Sequence, residues 1–260
     1  MKKITSMLVL LFAILVSGCL EEKIATTLQD RNGVAFEPNA TEPFTGKYVT
    51  NYPNGQKLKE AHYKDGQPDG LVISWHGNGL KLSEENYEHG KQNGLTTKWF
   101  DNGQKEDETN YADGKKNGAA IGWHKSGQNA GNANYTDDKL NGLITTWYEN
   151  GQKESERNFS DDKLNGSSIS WYENGQTSNA GNYIDGEING LMTIWYANGQ
   201  KKLEANSIKG KQNGLSTAWY ENGQKSFEAN YIDDELNGLV TSWDENGVIK
   251  GFGDYTNGKK

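Results

Sequence analysis

Apolar and polar residues alternate along this chain in short stretches that stop at a glycine and then begin again. Leu71, Ile73 and Trp75 alternate with Val72 and Ser74, the period of a strand with one sheltered face. Asn78-Gly79 follows within a few residues, a pair that marks a chain reversal. A polar run then leads to Tyr87, and a second turn signal follows it at position 90, where Gly is common.

The pattern returns every 24 residues. Trp75, Trp99, Trp123, Trp147, Trp171, Trp195, Trp219 and Trp243 are all the tryptophans of the chain. Gly recurs on the same period from Gly46 to Gly238 and from Gly55 to Gly247. Tyr63 opens a third series, in which Phe159 and Ser207 replace Tyr. From 46 to 260 the chain holds nine units without insertion or deletion, the first with Asn51 in the Trp position. A unit has no room for a helix beside two strands and two turns. The expected fold is all-β: an elongated antiparallel β-meander or solenoid of about nine 24-residue hairpin repeats over 44–260.

Such a sheet has about eighteen strands, and open sheets rarely exceed ~10 without curling. A twisted or spiral ribbon on the order of 85 Å long follows from ~4.8 Å per strand. An outer-membrane barrel is excluded, because its strands need ~9–11 residues and an apolar outer band. A three-residue loop around Asn78-Gly79 is expected, which sets Trp75 beside Ser83, Glu85 and Tyr87. Phe100, Tyr148, Tyr172, Tyr196 and Tyr220 then fall on the other face, with ladders of Asn (Asn86, Asn110) and Glu (Glu60, Glu84).

Composition sharpens this picture. The chain has 32 Gly and only 33% apolar residues, too few side chains for one large core. Its 8 Trp and 13 Tyr argue against disorder. With 35 acidic against 27 basic residues it cannot assemble a basic face, so nucleic acid is excluded as a partner. One Cys rules out a disulfide framework.

That Cys closes a leader. Lys2 and Lys3 precede an apolar run from Met7 to Val16, then Val16-Ser17-Gly18-Cys19, the shape of a secretory signal. Val-Ser-Gly-Cys resembles the bacterial lipobox, which implies a signal peptide over 1–18 and a lipid on Cys19 of an exported, envelope-anchored chain, in the outer membrane if the cell is Gram-negative. Removing the leader leaves 25 basic and 35 acidic residues, a charge near −10. Residues 19–43 read as a tether with a capping hairpin around Val34-Ala35-Phe36 after the Asn32-Gly33 turn.

The runs Trp147-Tyr-Glu-Asn-Gly-Gln-Lys, Trp171-Tyr-Glu-Asn-Gly-Gln and Trp219-Tyr-Glu-Asn-Gly-Gln-Lys, with Pro43-Phe-Thr-Gly-Lys-Tyr, resemble the MORN-repeat variant of bacterial YwqK-family antitoxins. The resemblance covers about 46–260 and implies hairpin repeats with an interaction or scaffold role. Ser126, Asn51 and Ser207 depart from the pattern.

No catalytic residues are assigned. His62, His76, His89 and His124 read as scattered through the unit, and no Ser-His-Asp or Cys-His set converges in one. Asp185-x-Glu187-x-Asn189-Gly190 and Asp233-x-Glu235-x-Asn237-Gly238 begin like calcium loops, but their twelfth positions are Tyr196 and Asp244. They read as hairpin turns, and no metal or cofactor is expected. The Trp row serves as a structural stack or a recognition groove. Phe100, Tyr148, Tyr172, Tyr196 and Tyr220 are the expected partner-contacting row. The expected partner is a protein of the envelope; the alternative is glycan or peptidoglycan.

Overall fold

The computed structural model describes residues 22–260; the leader and Cys19 lie outside the described residues. Among these it is all strand and turn, without a helix. One 23-stranded sheet runs the length of the repeats, the arms of successive hairpins pairing antiparallel, with no pairing among the described residues that closes it into a barrel. Eighteen strands are the two arms of nine hairpins. Four two-residue pieces, such as Lys91–Gln92, and the parallel strand Ile24–Ala25 against Gly46–Asn51 make up the rest. Gln29–Arg31 and Val34–Phe36 form a separate small hairpin at the N-terminal end.

Three turn pairs in each unit, of which the first unit shows two as Asn54-Gly55 and Asp65-Gly66, do three different things. Asp65-Gly66, with φ of 50° and 75°, is a two-residue hairpin turn whose twist matches the strands. Asn78-Gly79 closes the expected three-residue loop: Gly79 N–H donates to His76 O, His76 N–H to Leu80 O, and Gly79 takes φ 86°. Asn93-Gly94 is a bulge in mid-strand, with Gly94 at φ 106°.

The expected assignment of faces is corrected here. Past the loop, Trp75 pairs with Lys81, but the next pair is Ser74 with Ser83, so Leu82 is an extra residue on its strand. One extra residue inverts a period of two. Leu71 and Ile73 therefore face Asn86 and Glu84, while Val72 and Ser74 face Glu85 and Ser83. The Trp face carries the Glu and Asn ladders, and Ser83, Glu85 and Tyr87 lie on the opposite one. The same slip follows the loop in every unit, from Thr50/Asn51 to Ser242/Trp243.

Burial is shallow and divided between the faces. Ala61 at 0%, Thr96 at 1% and Thr109 at 2% exposure lie deep in the opposite face. Thr97, Thr145 and Thr217 are buried on the Trp face, where they pair with the Glu ladder. A row of leucines on that face, Leu95, Leu143, Leu191 and Leu239 among them, stays exposed.

Candidate functional site

The repeating residues are consumed by bonds between one unit and the next. The turn Asn of seven units works twice: Asn150 Oδ1 accepts from Gln152 N at 2.9 Å, and its Nδ2 donates to Glu173 O at 2.9 Å in the next turn. Asn54, Asn78, Asn102, Asn174, Asn198 and Asn222 reach the following unit in the same way. At the other edge of the ribbon, the second turn residue donates its N–H one unit back, as Gly90 does to Pro68 O and Gly186 to Leu164 O, both at 2.8 Å.

The row expected to contact a partner belongs to this stitching. Tyr148, Tyr172, Tyr196 and Tyr220 are half-buried, and their hydroxyls donate to the carbonyls of Trp171, Trp195, Trp219 and Trp243 at 2.7–2.8 Å. Burial pushes the Tyr148 and Tyr196 hydroxyls above the ordinary tyrosine range, with Glu154 and Glu221 respectively adding to the effect. Phe100 stands in the row without a hydroxyl. His76 and His124 are not scattered: they occupy the same row, with Nε2 2.9 Å from Trp99 O and 2.8 Å from Trp147 O. A 24-residue count from Tyr148 down to His76 was the signal available in the sequence.

The Trp row is half-buried throughout. A lysine from the preceding strand lies over six of its rings at 5.3–5.9 Å: Lys57 on Trp75, Lys81 on Trp99, Lys105 on Trp123, Lys153 on Trp171, Lys201 on Trp219 and Lys225 on Trp243. Each of these lysines also pairs with the Glu three residues on, as Lys57 does with Glu60 at 2.7 Å and Lys153 with Glu156 at 2.5 Å. Lys47 joins Glu60 at 2.6 Å, and the two cations hold that carboxyl below its ordinary 4.5. Lysine and glutamate come and go together. Asn129 and Asn132 replace them before Trp147, and Thr177 and Ala180 before Trp195, so these two rings carry no lysine lid. Asn129 Nδ2 instead donates to Asn132 Oδ1 at 3.0 Å.

Three stretches, 44–65, 140–161 and 212–233, match the model of the MORN repeat variant. They begin at one point of the 24-residue period. These stretches are MORN-variant repeats. No curated protein matches the chain. In the MORN-variant units, the matched segment runs from the start of one hairpin to its second turn and contains the loop, the turn Asn and the Lys-x-x-Glu spacing.

One row on the opposite face varies from unit to unit, and in it Ser83 and Ser155 are buried. The row Lys59, Ser83, Asp107, Gly131, Ser155, Asn179, Leu203, Phe227 and Gly251 changes chemistry at nearly every unit. Hollows of about 720, 490 and 220 Å³ open on this face, the first beneath Tyr48 and Tyr63, the second around Arg157 and Tyr183, the third over Gly122 and Gly131. Among the described residues no three His, Cys, Asp or Glu side chains converge to hold a metal ion. Asp185 and Asp233, at φ 52° and 49°, are turn residues.

Proposed function

We propose that this chain is an envelope lipoprotein, anchored through Cys19, whose repeat sheet is a protein-contact surface without catalysis, serving as a scaffold, adhesin-like or immunity module. One observation carries the reading: the repetition is nearly strict where units bond to each other and lapses in the row from Lys59 to Gly251 on the hollowed face opposite the tryptophans. Uniform residues satisfy a stack of identical units. Side chains that differ from unit to unit distinguish one partner from another.

The test uses a soluble form starting at Glu21 as bait against detergent-solubilised native envelope. A face variant, Phe227→Ser with Leu203→Ser, and a framework variant, Tyr148→Phe, serve as controls. One protein retained near stoichiometrically by the wild type and by Tyr148→Phe, and lost with the face variant, is the expected result. Retention unchanged by the face variant rejects this face. Palmitate labelling of the full chain, abolished by Cys19→Ser, tests the anchor.

A second reading, glycan or peptidoglycan binding, is favoured by Trp147 and Trp195, the two rings without a lysine lid. It predicts quenching of tryptophan fluorescence by envelope polysaccharide, lost in Trp147→Phe with Trp195→Phe.

A further inference from the structure

Arg157 is one of two arginines in the chain. It lies in mid-strand on the varied face, where sibling units carry Ala, Gly, Thr109 or, in one case, Glu85. Its cross-strand neighbours are Ile144 and Ser168. Its side chain is exposed and makes no ion pair or hydrogen bond among the described residues, whereas its chain neighbour Glu156 is taken by Lys153. Arg157 lines the hollow of about 490 Å³ together with Phe159, Leu164, Ser168, Asn179 and Tyr183. Asp162 on the rim is engaged elsewhere, accepting from the Leu140 amide at 2.8 Å.

Two features border the hollow on the side away from this guanidinium. Gly181 pairs with Ser168 of the lining from the side away from Arg157. Unlike the turn glycines, Gly181 has no positive φ, and a methyl there would meet nothing closer than 3.7 Å, from Met192 Cβ. Neither backbone conformation nor space demands glycine, so its effect is to leave the floor beside Ser168 without a flanking side chain. Next to that floor, Ser170 Oγ is buried without a hydrogen-bond partner, opposite Asn179.

We infer that this hollow binds a carboxylate side chain, Asp or Glu, on an extended segment of the protein partner, with the Arg157 guanidinium forking onto the carboxylate and Phe159 and Tyr183 flanking the segment. Charge complementarity selects the occupant. Arg157 and Lys163 outweigh Asp162 on the lining by one positive charge, which a carboxylate balances while forming two parallel N–H···O bonds with the planar guanidinium, and which a doubly charged phosphate exceeds. Ser168 and Asn179 supply further hydrogen-bonding groups at the same floor. The inference rests on the reading of this face as a protein-contact surface.

Two arginines give two Nε–Hε signals, and Arg31, stacked 4.5 Å over Phe36 and donating to Ala40 O, is an internal control. The peptide acetyl-Thr-Phe-Glu-Phe-Thr-amide, titrated into the folded chain, is expected to shift the Arg157 signal and leave that of Arg31 in place. The Gln version of the peptide should bind about tenfold more weakly or worse, the loss of a charge-assisted pair. Arg157→Gln should lose the binding. Gly181→Val, which keeps the charge and fills the floor, should weaken it comparably. Equal shifts with the Glu and Gln peptides, or none with either, overturn the inference. A shift produced by oligoglucuronate and not by the peptide overturns it in favour of an acidic glycan. An envelope protein still retained by Arg157→Gln but lost with Phe227→Ser and Leu203→Ser sinks this site alone. No retention dependent on any residue of the face sinks the broader reading as well.

Discussion

The Tyr148 hydroxyl donates to the main-chain carbonyl of Trp171 at 2.7 Å, spanning from one loop to the end of the strand one unit on. The bond commits the tyrosine to its neighbour and satisfies a carbonyl at the strand end. Tyr148→Phe should cost about 1 kcal/mol in urea unfolding, a typical net hydrogen bond. Phe100→Tyr should gain a similar amount by reaching Trp123 O, which faces a residue without a donor. A neutral result for both would place the row outside the stitching.

Ser126 is the missing rung of the asparagine ladder. Ser126→Asn should stabilise the fourth unit by about 1 kcal/mol, while Asn150→Ala, which loses bonds to Gln152 and Glu173, should cost about 1–2 kcal/mol. Hydrogen exchange of the amides around 124–152 would localise both effects.

Gly199 and Gly151 have nearly the same φ, 85° and 84°, but different surroundings. A methyl at Gly199 would collide with Gln176 Oε1, whereas at Gly151 the nearest atom, Gln128 Oε1, is 3.8 Å away. Both Ala substitutions should carry the left-handed penalty of about 1–2 kcal/mol. Gly199→Ala should cost more, and adding Gln176→Ala should erase the difference.

Glu60 makes the first unit acid-sensitive. Its carboxyl is depressed in the folded chain by Lys47 and Lys57, so the associated stability is present above the ordinary carboxylate value and disappears as pH falls through the lower folded one. The first unit should therefore loosen below about pH 4.5. Lys47→Met should flatten that acid limb when urea midpoints are compared across the range.

The period, the nine hairpins and the three-residue loop were legible because each is a local matter of glycine and alternation. The faces were not. Leu82 adds one residue after a correctly read loop, and a bulge of that kind has no composition of its own: the position also holds Glu106, Ala130 and Lys202. The tyrosine row was read as exposed because its hydrogen bonds reach 23 residues ahead, beyond the reach of any pattern within one unit. The lidless tryptophans follow from paired losses at positions 129 and 132, and at 177 and 180, visible only once lysine and glutamate are known to share a tryptophan.

The turn ladder, in which Gly90 bonds to Pro68 and Gly114 to Gln92, ties each hairpin to the one before it and to nothing farther away. Stretched between its ends, such a ribbon has no distant contact to hold it as a block. It would pay out hairpin by hairpin from the terminal units inward, each releasing about 80 Å of chain. If the chain is tethered through Cys19 as proposed, that compliance would let a bound partner be drawn away from the anchor while the inner repeats remain folded.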